Sequence, residues 1–106
     1  MELRVVSPNN NLSDADLGRI EQDLNKIGQR LKRIEDHKEV RAEVRISENG
    51  GTQHKVTIEL RYGRNHLVAK SENDKIGAAV REARDDLLRQ INDRKRGGHS
   101  SLAKGL

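Results

Sequence analysis

At 106 residues, with 32% hydrophobic and 36% charged side chains, the chain has room for one domain with a thin core under a densely charged surface. Twenty-one Lys and Arg stand against seventeen Asp and Glu, a net charge of +4 that is compatible with binding a phosphate backbone but does not establish it. The lack of cysteine excludes disulfides and thiolate chemistry, and one Tyr with no Phe or Trp removes the stacking platforms on which readers of single-stranded RNA rely. No apolar run reaches the length of a membrane span and no signal-peptide core opens the chain, so a soluble, cytoplasmic protein without a membrane partner is expected.

The first element is a short strand from Leu3 to Val6, broken by Ser7-Pro8 and the Asn9-Asn10-Asn11 run, since Pro lacks an amide donor and Asn favours turns. Ser13 is an N-cap with Asp16 three residues on. Leu17, Ile20, Leu24, Ile27, Leu31 and Ile34 then recur at steps of 3, 4, 3, 4 and 3, which predicts a helix over 14–35. Gly18 and Gly28 weaken it locally. The period next switches to two. Val40, Ala42, Val44 and Ile46 alternate with Arg41, Glu43, Arg45 and Ser47, which makes a strand with one buried face. Asn49-Gly50-Gly51 carries hairpin chemistry, and Val56, Ile58 and Leu60 alternate through the following strand. Gly63-Arg64-Asn65 turns the chain into a fourth strand, His66 to Ser71, with Leu67 and Ala69 inward. Ser71 or Asn73 is expected to cap a last helix over 74–96, whose apolar stripe is Ile76, Val80, Ala83, Leu87 and Ile91. Gly97-Gly98 ends it.

The order β-α-β-β-β-α predicts an α+β two-layer sandwich: a four-stranded sheet with both helices on one face, because an antiparallel sheet with one polar face needs cover only on the other. Residues 1–96 form the one domain and 97–106 a frayed tail. Nothing in the chain argues for catalysis. His37, His54, His66 and His99 are scattered without ligand spacing, no serine sits in a nucleophile elbow, and neither a Walker A nor a G-x-G-x-x-G pattern occurs. No metal, cofactor or small-molecule substrate is expected.

The charges on the two helices are sorted rather than mixed. Measured from Ile76, Arg81, Arg84, Arg89, Lys95 and Arg96 fall in an arc of roughly 80° to 220°, and Glu82, Asp86 and Asp93 lie just beyond it. On the first helix Arg19, Lys26, Arg30 and Arg33 share an arc of roughly 160° to 220° from Leu17. Solubility alone accounts for charged helix faces. Two basic edges on helices that share one side of a sheet also flank a groove suited to phosphates along an RNA backbone.

Several phrases of the chain carry a family resemblance. The opening Met1-Glu2-Leu3-Arg4-Val5-Val6 with Leu12-Ser13, the His54-Lys55-Val56-Thr57 strand, Ala78-Ala79-Val80, Asp85 through Leu87 and Arg89-Gln90-Ile91-Asn92 together resemble the ribosome hibernation promoting factor family, short form, over about residues 1–96. The resemblance implies a domain that binds small-subunit rRNA near the decoding region, blocks the mRNA and tRNA sites in stressed cells, and is monomeric when free. Carried over by position, the RNA-contacting residues are Lys26, Arg30, Arg33, Arg81, Arg84, Arg89, Lys95 and Arg96, with Lys55 from a strand. The chain departs from the family at Asp86 and Asp93, where lysine is common, and in lacking aromatic residues at the end of the first helix. A C-terminal dimerisation domain of the kind that long members have is not expected. A protein-interaction module on the same fold and a shape-selective binder of double-stranded RNA are the alternative readings.

Overall fold

The computed structural model describes residues 2–7, 12–35, 39–48 and 53–95, with the side chains of 33–35 and 94–95 outside that description. Six elements follow in the expected order: β1 (Glu2–Val6), α1 (Asp14–Glu35), β2 (Val40–Glu48), β3 (His54–Tyr62), β4 (Asn65–Asn73) and α2 (Ile76–Lys95). The Asn49-Gly50-Gly51 turn, the Gly97-Gly98 stop and the tail lie outside the described residues.

Local chemistry sets the element ends. The Ser13 hydroxyl accepts the Asp16 amide at 3.1 Å and the Ser13 carbonyl accepts Leu17 at 3.0 Å, so Ser13 starts α1. Between β3 and β4 the two-residue loop Gly63-Arg64 puts Gly63 at φ 57°, a value that glycine adopts without a side-chain clash. The start of α2 differs from expectation. Neither Ser71 nor Asn73 is its N-cap, because both still belong to β4. The Lys75 carbonyl closes the first turn by accepting the Ala79 amide at 3.0 Å. Asn73 instead accepts the Lys75 amide at 3.1 Å, and the Ser71 hydroxyl donates to the Ala79 carbonyl. The two side chains thus brace the strand-to-helix turn from outside the helix.

The sheet runs in the order β1-β2-β3-β4. α1 returns the chain to its starting end, so β2 lies parallel to β1, whereas the tight connections make β2–β3 and β3–β4 antiparallel. The register pairs Ala42 with Leu60, Val44 with Ile58 and Leu60 with Leu67, which brings every inward apolar position to one face. Ile20, Leu24, Ile27 and Leu31 of α1 and Ala79, Val80, Ala83, Leu87 and Ile91 of α2 join that face in a single core. Both helices therefore cover the same side. Tyr62, the one aromatic residue, is buried among them at 3% exposure. Among the described residues no helix is long and apolar enough to cross a membrane.

Candidate nucleic-acid interface

α1 and α2 lie side by side, and their polar contacts fix their relative direction. Arg19 reaches to within 3.4 Å of where a Cβ on Gly77 would stand. Arg84 Nη1 donates to Asp23 Oδ1 at 2.9 Å, and Arg30 Nη2 donates to Asn92 Oδ1 at 2.6 Å. Positions 19, 23 and 30 on one helix meet 77, 84 and 92 on the other, so the helices run parallel. Steps of three and four residues keep side chains on one face of a helix. Lys26 thus shares the α1 stripe of Arg19, Asp23 and Arg30, and Arg81 shares the α2 stripe of Gly77 and Arg84. Part of each basic edge read from the sequence lines one interhelical seam: Arg19, Lys26 and Arg30 on α1, and Arg81 and Arg84 on α2. Lys26 and Arg81 are exposed there, and no ion pair engages either among the described residues.

The nine expected RNA-contacting residues do not share one role. Arg84 is the most enclosed of those whose side chains are described: it is 8% exposed. Its Nε and Nη2 donate to Asp85 Oδ1 at 3.0 and 2.8 Å while Nη1 is held by Asp23. Three of its five N–H donors are turned onto carboxylates in the seam, so its charge is already matched and it is sheltered from solvent. Arg30 lines the seam but is tied to Asn92. Arg89 is exposed on the outer side of α2, 3.7 Å from Asp86, a distance at which the attraction is weak. The backbone places Arg33 and Lys95 within the helices, but their side chains lie outside the described residues, as does Arg96 altogether.

Lys55 lies on the opposite side of the molecule. It follows His54 on β3 and alternates with the buried Val56, so it belongs to the open face of the sheet and not to the helix seam. That face is a lattice of opposed charges. Arg41 meets Glu2 at 3.3 Å, Arg45 meets Glu43 at 3.5 Å and Glu59 at 2.6 Å, and His66 Nε2 lies 2.8 Å from the second Glu59 oxygen. The His66 hydrogen bond, and then the Arg45 guanidinium, hold the Glu59 carboxyl below its usual range against a burial that acts the other way. A shallow hollow of about 510 Å³ on this face is bounded by Arg4, Arg41 and Arg61 together with Glu2, Glu43 and Glu59, so it offers no uniform field to an anion.

Sequence reasoning missed Asp23 and Asn92, the partners that tie down Arg84 and Arg30. Asp23 carried a signal, being an acid on an otherwise basic stripe. Among the described residues no group of His, Asp and Glu could hold a metal ion.

The chain is similar to known structures over most of its length. The N-terminal domain of Thermus thermophilus Protein Y superposes with a TM-score of 0.72 at 25% identity, over 86% of this chain and 96% of that one. A ribosomal subunit interface protein from Coxiella burnetii shares the fold with a TM-score of 0.74 at 16% identity, over 91% and 99%. No curated protein matches the sequence. Residues 3–97 match the family described as sigma 54 modulation protein / S30EA ribosomal protein, a stretch that takes in both helices and, apart from Glu2, all four strands. The chain belongs to that sigma 54 modulation protein / S30EA ribosomal protein family.

Proposed function

We propose that the protein is a ribosome hibernation factor. It binds the small ribosomal subunit as a monomer, lays the α1–α2 seam on rRNA near the decoding region, and blocks the sites of mRNA and tRNA by occupying them. The observation that carries this reading is the meeting of the two basic stripes across one seam, with Lys26 and Arg81 exposed between the tied positions and in no ion pair among the described residues. Family membership supports a ribosomal partner. The near absence of aromatic residues favours recognition of backbone and shape over base stacking. Mechanistically, the seam needs only to place cations along a phosphate track while the rigid sandwich behind it fills space.

Cosedimentation with purified small and large subunits tests the reading, beside a Lys26→Glu, Arg81→Glu double variant. The expected result is retention on the small subunit alone, weakened by salt and lost in the variant. Equal binding to both subunits, or to any RNA duplex, would replace this reading with a general shape-selective binder. No binding at low salt would overturn it.

A further inference from the structure

We propose that Arg84 and Asp23 are positioning residues for the seam: their ion pair sets how α1 and α2 stand relative to each other, and so the span across which Lys26 and Arg81 meet a phosphate backbone. The inference rests on the functional reading above for its binding arm, and on structure alone for the rest.

Aliphatic packing holds each helix on the sheet, but it is non-directional and tolerates small slides. The seam needs something that does not. Three contacts run along it, the last two of them polar: Arg19 over Gly77, Asp23 with Arg84, and Arg30 with Asn92. The central pair differs from the other two in burial. Its side chains are 10% and 13% exposed, whereas the ion pairs of the open sheet face all include at least one side chain that is 46% exposed or more. A pair this sheltered is costly to break, because removing one partner strands the other away from water. It is also directional, since the planar guanidinium is forked between Asp85 on one side and Asp23 on the other. Asp23 Oδ2 is buried with no hydrogen-bond partner, which leaves Arg84 as the only side chain that holds this carboxylate among the described residues.

Lys26 stands three residues beyond Asp23 on α1, and Arg81 three residues before Arg84 on α2. On parallel helices rising 1.5 Å per residue, these two exposed cations are about 9 Å apart along the seam with the buried pair between them. A slide or splay of either helix changes that span directly.

Asp23→Asn separates positioning from simple electrostatics by the sign of its effect. Removing a negative charge from an RNA-binding surface should tighten binding if charge alone matters. If the pair positions the banks, the loss weakens small-subunit binding, by about tenfold for a coupled pair, and leaves the salt slope unchanged. Arg84→Lys keeps the charge and loses the fork, so it weakens binding likewise, and Arg81→Gln lowers the salt slope by about 0.7 to 0.9 as a lost phosphate contact should. A second readout needs no ribosome. The chain has no cysteine, so nitroxides attached at Asn25→Cys and Arg89→Cys report the interhelical distance alone. The expected outcome is a distance distribution that widens or shifts in Asp23→Asn and in Arg84→Lys, each checked for folding by its thermal melt. Tighter binding by Asp23→Asn, a slope in Arg84→Lys that falls as it does in Arg81→Gln, or an unchanged distance distribution overturns the proposal. If the unaltered protein fails to bind the small subunit, the functional reading falls, and the nitroxide distances still judge the positioning role.

Discussion

Replacing Gly18 with alanine should stabilise the domain, and the size of the gain follows from three observations. Gly18 lies in the interior of α1, one turn after Asp14, where glycine is about 0.8–1.0 kcal/mol less favourable than alanine. It is exposed, and a Cβ built on it meets nothing within 4 Å, so no packing cost offsets the propensity gain. It is also one position removed from the seam stripe that begins at Arg19, so binding should not change. The whole of the difference should therefore appear, about 0.8–1.0 kcal/mol, or about 4–8 °C in Tm for a domain near this size. Gly77→Ala is the comparison. There the added Cβ would stand 3.4 Å from Arg19 Nη1 and 3.6 Å from its Cδ, so a flexible side chain must give way, and the position is only the second in α2. A smaller gain is expected. Urea unfolding of the three proteins measures both, with unchanged m-values confirming that the transition is the same. A Gly18→Ala variant no more stable than the parent would refute the reasoning, since it would mean that α1 gains nothing from helix propensity at an unobstructed site.

Ile58→Ala removes a fully buried side chain at the centre of the sheet, paired in register with Val44 and Ala69; a loss of about 2–5 kcal/mol is expected by urea unfolding, and less than about 1 would mean that the core collapses around the gap. Glu59→Gln should lower stability at neutral pH and not at low pH. Because the folded-state pKa lies below the ordinary value of 4.5, the carboxylate contributes stability above that value and loses it as pH falls through the lowered one. Parent and variant unfolding curves should therefore converge at acid pH, and a gap that persists there would remove the ion-pair explanation. Lys55→Gln should leave the salt slope of small-subunit binding unchanged while Lys26→Gln lowers it by about 0.7–0.9, because only Lys26 stands on the helix side; equal changes would mean that both faces touch RNA.

Most of the fold was legible because two periods alternate cleanly along the chain. The 3, 4, 3, 4, 3 spacing that starts after Ser13 delimits α1, and the two-residue alternation places Val40, Ala42, Val44 and Ile46 on the buried face where they are found. The boundaries that differed lie at the end of β4, where Asn73 and Ser71 carry capping chemistry yet use it on a turn. The site was less legible, for a physical reason. A helical wheel describes one helix at a time, and it places Arg84 about 80° from Ile76, at the margin of the core stripe. Whether a margin residue faces water or a neighbouring helix depends on where the other helix lies. Its partner Asp23 is 61 residues away in sequence. Lys55 is different: its alternation with Val56 already assigned it to the sheet face away from the helices, so grouping it with them did not follow from the pattern.

The parallel pairing of β1 with β2 also governs how the molecule opens. β2, β3, β4 and α2 are consecutive, so their contacts close over short loops, whereas β1 reaches its partner only after α1 has been laid down between them. β1 is an edge strand of five residues, and its inward Leu3 and Val5 are only half-buried. Such a unit unfolds at lower free energy than the whole domain, so amides in the β1–β2 ladder should exchange hydrogen sooner than those between β3 and β4. When β1 lifts, it bares the edge of a nine-residue strand with an apolar row, and the segment shaped to refill that edge is a β1, whether its own or that of another copy. Strand exchange at high concentration is the failure mode that this topology carries, and tethering Leu3 more firmly to the core is the direct way to suppress it.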